Sequence, residues 1–123
     1  INYLFVKKIN LSHLISKDEN YENKLNNLKA NNNFYQYNVN DLCYKLGYSR
    51  THLNRIFNNL YNKSPLDYLV ECKMKYAASL LTYTDYSIKD ISIMIGYNSI
   101  TRLTDNFKIY YGVTPTAYRK EKE

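Results

Sequence analysis

Apolar positions recur through most of this chain at helical spacing, and the clearest run occurs twice. Val39, Leu42, Cys43 and Leu46 fall three or four residues apart; after Gly47 the pattern resumes at Leu53, Ile56, Phe57 and Leu60. The spacing predicts two helices, each burying one stripe. Asn38 can cap the first, with Asp41 in its first turn favouring the positive end of the dipole. Gly47 supplies the backbone freedom that ends it, and Ser49 caps the second. The opposite face of that second helix carries Thr51, Asn54, Arg55 and Asn58, all polar and none acidic. A helix, a tight turn and a second helix with one buried and one hydrogen-bonding face make a helix-turn-helix with a recognition helix.

The repeat follows about fifty residues later. Asp41-Leu42 through Phe57 is echoed by Asp90-Ile91 through Phe107, pairing Leu46 with Ile95, Gly47-Tyr48 with Gly96-Tyr97, and Leu53 with Leu103. One extra residue, Asn98, enters the second turn, so the offset grows from 49 at Asp41 and Asp90 to 50 at Pro65 and Pro115. Downstream, Ser64-Pro65 and Tyr68 match Thr114-Pro115 and Tyr118.

Between the copies, Ser64 followed by proline at the first helical position starts the longest predicted helix, about residues 65–82. Its inner stripe is Leu66, Leu69, Val70, Lys73, Met74, Ala77, Leu80 and Leu81, with Lys73 reaching for the surface. As the shared element, this helix sets the separation of the two halves. The first helix-turn-helix covers about 38–61 and the second about 87–110. Residues 21–32 predict a short supporting helix through Leu25, Leu28 and Ala30, ended by Asn31-Asn32-Asn33. In residues 1–20, Leu4, Phe5, Leu11, Leu14 and Ile15 form a weak apolar stripe, and Lys17-Asp18-Glu19-Asn20 reads as a solvated break. That segment is either a helix or ragged stretch packed on the domain, or the tail of an upstream sensing or dimerising domain with its linker. Because the chain opens at Ile1, it reads as a candidate fragment of a longer protein.

Composition narrows the class. With 123 residues, 45% of them hydrophobic, and only three Gly and two Pro, the chain is expected to be all-α: two helix-turn-helix subdomains joined by a long linker helix, about seven helices plus an N-terminal extension. Seventeen Lys and Arg against eleven Asp and Glu leave a net charge of +6, which suits a polyanionic partner. Cys43 and Cys72 have no CxxC spacing and are expected to be free thiols in a reducing cytoplasm, without a metal site. No apolar run approaches the roughly 18 residues of a membrane span. His13 and His52 stand apart from any acid or cysteine in a nucleophilic arrangement, and no glycine-rich phosphate loop is present. No catalytic residue and no cofactor are therefore expected.

These residues resemble the DNA-binding domain of the AraC/XylS family of bacterial transcription regulators. The most specific piece is Ile95-Gly96-Tyr97 through Phe107-Lys108, followed by Tyr111-Gly112-Val113-Thr114-Pro115 and Tyr118-Arg119; the resemblance covers about residues 22–119. The first unit, Gly47-Tyr48-Ser49 with His52-Leu53 and Arg55-Ile56-Phe57, is similar to the multidrug and superoxide-response branch. Three positions depart from the family pattern. Asn62 stands where Gly is usual, Lys73 stands where Arg is usual, and Arg102-Leu103 replace a common aromatic pair. Asn tolerates the left-handed conformation, so the turn at Asn62 is expected to survive.

The resemblance implies double-stranded promoter DNA as partner, with RNA polymerase and a homodimer through an upstream domain as further expectations. Matching the contact positions points to Thr51, Asn54 and Arg55, the face already derived, with Arg50 nearer phosphate. Arg55 can grip guanine O6 and N7, Asn54 suits adenine, and the Thr51 methyl can touch thymine. The second helix offers Ile100, Thr101, Thr104 and Asp105, with Arg102 and Lys108 nearby. Asp105 occupies an often basic position, where it either accepts from cytosine N4 or pairs with Arg102 or Lys108 on its own helix. Two readings follow: a sequence-specific regulator using successive major-groove segments, or an AraC-like module that binds another regulator or polymerase and holds DNA weakly.

Overall fold

A computed structural model describes residues 12–123. Among these residues the secondary structure is helical throughout, with seven α-helices and one 3₁₀ helix. The chain divides between Phe34 and Tyr35 into two compact units.

In the first unit, α1 (Ser12–Lys29) runs for 18 residues and buries Tyr21 and Leu25. The expected break at Lys17–Asn20 is absent. Lys, Asp, Glu and Asn lower helix propensity only modestly, and nothing between Ser12 and Lys29 is Pro or Gly, so the helix continues through the charges. Of the weak stripe, Leu14 and Ile15 fall within α1, while Leu4, Phe5 and Leu11 lie outside the described residues. The asparagine run ends the helix as expected: the Asn31 side chain accepts from the Asn33 amide, and a 3₁₀ helix spans Asn32–Gln36.

The second unit contains α2 (Val39–Leu46), α3 (Arg50–Tyr61), α4 (Pro65–Tyr83), α5 (Ile88–Met94), α6 (Ile100–Tyr111) and α7 (Pro115–Lys122). Each has a side-chain N-cap. Asn38 and Asp41 form a reciprocal capping box on α2, and Ser49, Ser64, Ser87, Ser99 and Thr114 each accept from the backbone amide three residues on. Gly47 ends α2 in the left-handed region at φ 76°, and Asn62 ends α3 there at φ 55°, as its tolerance of that conformation predicts.

The long helix α4 holds the unit together. α2 and α3 pack on one another and on its N-terminal part, while α5, α6 and α7 pack against it and α6 against α5 and α7. Val39, Leu42, Leu46, Leu53, Phe57 and Leu69 are buried in the first half. The second half has a continuous core of Met74, Ala77, Leu81, Ile91, Ile95, Leu103 and Phe107. An aromatic triad recurs at an offset of 50. Phe57 meets Tyr61 and Tyr68 with ring centroids 5.3 and 5.1 Å apart, and Phe107 meets Tyr111 and Tyr118 at 4.6 and 5.2 Å. Such pairs contribute about 0.5–1.5 kcal/mol beyond their buried area.

Two expectations for side chains in this unit are corrected. Leu66, placed on the inner stripe of α4, is 53% exposed, because at the second helical position it borders an open groove between α4 and α6. Lys73 does not reach the surface. It is 6% exposed, and its ammonium donates to the carbonyls of Tyr35 and, at 2.9 Å, of Ile95. Arg119 donates from Nε to Leu81 O and from Nη2 to Thr84 O, both at 3.2 Å. It caps the carbonyl end of α4, where a cation is favoured by the helix dipole.

Candidate nucleic-acid interface

The two turns set how each recognition helix is aimed. In the first helix-turn-helix only Gly47, Tyr48 and Ser49 separate α2 from α3, and the amides of Gly47 and Tyr48 both donate to Cys43 O. In the second, α5 ends at Met94 and five residues, Ile95 to Ser99, precede α6. Asn98 accounts for one of the two added residues, and an earlier helix end for the other. Gly96 is demanded here by two constraints at once. Its φ is 85°, and a Cβ would sit 3.0 Å from Gln36 Cα. Tyr97 closes the turn with its ring buried and its hydroxyl accepting from Asn106 Nδ2 at 2.9 Å.

Lys73 crosses the same junction. It joins the chain entering the first helix-turn-helix, at Tyr35, to the turn of the second, at Ile95. Burial and the Arg102 guanidinium push its pKa down to about 8. Burial likewise raises the Tyr97 phenol.

On α3, Leu53 and Phe57 face the core, and Arg50, Thr51, Asn54, Arg55 and Asn58 are exposed. The expected reading face is therefore brought together on one side. Arg50 is held back from it: Nη1 donates to Asn40 Oδ1 of α2 at 2.7 Å. Asn58 Nδ2 donates to Asn54 O at 2.8 Å along the same face.

On α6, Leu103 and Phe107 are buried; Ile100, Thr101, Arg102, Asp105 and Lys108 are exposed and Thr104 is half-buried. Ile100 leaves 45% of its surface open at the first helical position. Arg102 lies over the Tyr97 ring at 5.1 Å, a cation–π contact. The alternative pairing of Asp105 with Arg102 or Lys108 does not form. Glu71 pairs with Lys63 and Lys75, and Asp105 is in no ion pair among the described residues. A groove of about 380 Å³ beside it is bordered by Leu66, Val70, Arg102, Ile109 and Tyr110.

Sequence reasoning missed four contacts: the Lys73 bridge, the Arg119 cap, the Arg50–Asn40 bond and the Arg102–Tyr97 stack. Only the first left a signal, a lysine spaced four residues from Leu69 and Ala77 in an apolar stripe. No helix among the described residues is long and apolar enough to cross a membrane. None of their His, Cys, Asp and Glu side chains cluster as a metal site would require.

Residues 42–121 match a family model described as a helix-turn-helix domain. The Msm operon regulatory protein of Streptococcus mutans is 30% identical over 119 residues, covering 94% of this chain and 43% of that protein. The chain thus spans less than half the length of that relative. Among solved structures, the C-terminal domain of the two-component response regulator yesN from Fusobacterium nucleatum superposes with a TM-score of 0.70 at 28% identity, over 80% of this chain and 95% of that one. The DNA-binding domain of AdpA, a global transcriptional factor solved in complex with a target DNA, gives 0.66 at 30% identity over 70% and 78%. Repeat, fold and relatives agree: this chain belongs to the AraC/XylS family of bacterial helix-turn-helix transcription regulators, a family of DNA-binding proteins and not of enzymes.

Proposed function

We propose that this chain is the sequence-specific DNA-binding part of a transcription regulator, inserting α3 and α6 into successive major-groove segments on one face of the duplex, about 34–36 Å apart. One observation carries the reading. The same two helices that bury Leu53 and Phe57, or Leu103 and Phe107, present Thr51, Asn54 and Arg55, or Ile100, Thr101, Thr104 and Asp105, outward at matching places in the repeat. The net charge of +6 favours approach to phosphate, and AdpA, a structural relative, is solved on a target DNA. Arg55 takes guanine, Asn54 adenine, and Thr51 a thymine methyl; Arg50 and Lys108 lie toward the phosphates. RNA polymerase contact, and pairing of two copies through a segment outside this chain, complete the proposal.

The unpaired acid Asp105 and the adjoining groove with exposed Leu66 and Ile109 favour a second reading, a module docking on another regulator or on polymerase. An electrophoretic shift against a random duplex pool at stated salt decides between them. Enrichment of a defined sequence supports the first; weak binding with no preferred sequence supports the second.

A further inference from the structure

The internal repeat puts Arg50, Thr51, Asn54 and Arg55 of α3 in register with Ile100, Thr101, Thr104 and Asp105 of α6. At three of these four places the two helices carry different chemistry, and Thr51 and Thr101 are alike. Beside the Thr51 methyl, α3 offers two guanidiniums, that of Arg50 bonded to Asn40 and that of Arg55 open, and the Asn54 amide; guanidinium and amide bond guanine and adenine edges in the major groove. α6 offers an isoleucine, two threonine methyls and a carboxylate. Its one first-turn cation, Arg102, is drawn onto the Tyr97 ring, and Lys108 stands in the last turn, beyond the N-terminal residues through which a recognition helix meets bases. Asp105 is exposed and makes no ion pair, so its oxygens are open to accept.

We infer that the DNA target is asymmetric: a block containing guanine lies under α3, and one helical turn away a thymine-rich block lies under α6, with cytosine and not guanine opposite Asp105. The inference rests on the groove-reading proposal above and adds the base chemistry of each half. The thymine preference follows because Ile100 and the threonine methyls have only one polar-free partner on a major-groove edge, the C5 methyl of thymine. The cytosine preference follows because a carboxylate accepts and cannot donate. Cytosine N4 is a donor, whereas guanine O6 and N7 are acceptors that repel it. An acid in a phosphate-lined groove also lowers affinity for every sequence, so the second half contributes selectivity more than strength.

The test selects duplexes from a random library with wild type, Asp105→Ala and Asp105→Arg, after circular dichroism confirms that each variant is folded. The wild-type winner is then rebuilt with deoxyuridine for thymidine in one block at a time, which removes the C5 methyl and leaves the pairing edge intact. The expected result is two unlike blocks, loss of the cytosine with Asp105→Ala, its replacement by guanine with Asp105→Arg, and about tenfold weaker binding when the α6 block carries deoxyuridine. Two guanine-containing blocks, or indifference of the α6 block to deoxyuridine and to both variants, would overturn the asymmetry while leaving α3 as a reader. No enriched sequence at all would overturn the groove-reading proposal together with it.

Discussion

In the first helix-turn-helix, three residues separate the helices and the exposed face of α3 carries Asn54 and Arg55; in the second, five residues separate them and the matching face of α6 carries Thr104 and Asp105. Beneath these faces the halves are near copies. Leu53 and Phe57 are buried as Leu103 and Phe107 are, Ser49 and Ser99 cap the recognition helices, and each half keeps its aromatic triad. Close packing ties the volume of each core position to its neighbours, so those positions resist change. A turn tolerates an added residue, and an exposed face can change its charge at little cost to the fold. The two halves therefore share their cores and differ in turn length and in the chemistry of the exposed helix face.

The largest test of this likeness is Phe57→Ala beside Phe107→Ala. Each removes the centre of a triad and should destabilise by about 3–5 kcal/mol in urea unfolding. A cost below about 1 kcal/mol at either site would mean that its triad is ornament and that the two scaffolds are not equivalent.

Lys73 asks whether the halves are held together or merely adjoin. Replacement by Met leaves the carbonyls of Tyr35 and Ile95 without this donor, at a cost of about 1–3 kcal/mol near pH 7. The pH dependence has a definite sign. Lys73 keeps its proton to about 10.5 in the unfolded chain but only to about 8 in the fold, so between these values the fold binds fewer protons and its stability rises with pH. The gain should be on the order of 1–2 kcal/mol between pH 7.5 and 9.5 and absent from Lys73→Met. The raised phenols of Tyr97, Tyr110 and Tyr111 act in the opposite direction only above pH 10, where the unfolded chain ionises first. Denaturation at constant salt across pH 7–9.5 measures it; parallel curves for both proteins would remove Lys73 from the account.

Arg55→Ala sharpens the contrast between α3 and α6. It should weaken binding to the selected duplex by about 1–3 kcal/mol and relax base preference in the α3 block alone. Equal weakening on all sequences would assign Arg55 to phosphate.

The smallest effects belong to charge on α6. Asp105→Asn should bind random duplex a few-fold more tightly, because a repulsion is removed, while Lys108→Ala should reduce the salt slope by up to about one. Titrations over a salt series would detect both, and unchanged affinity and slope in the two variants would place α6 outside the groove.

Much of this was legible before any coordinates, for a physical reason. Helix periods, caps and the fifty-residue echo are local signals, and they carry the all-α fold of two helix-turn-helix units joined by a long helix. The exposed face of α3 follows from the same periodicity, and that of α6 from the repeat. What stayed hidden depends on contacts distant in sequence. Lys73 lies 22 residues from Ile95 and 38 from Tyr35, and Arg119 lies 38 from Leu81. No periodicity foretells which carbonyl a long cationic side chain will find. Leu66 lies on the stripe yet is exposed, because stripe membership near a helix start says nothing about whether a neighbour covers it. At Lys17 to Asn20 charge alone does not break a helix, and with no Pro or Gly there α1 continues.

The most direct test of the central claim is a hydroxyl-radical and methylation-interference footprint of the chain on its selected duplex. Two engaged recognition helices require two protected major-groove patches on one face of the DNA, centred 10–10.5 base pairs apart. A single patch, lost with Arg55→Ala and unaffected by changes in α6, would contradict it.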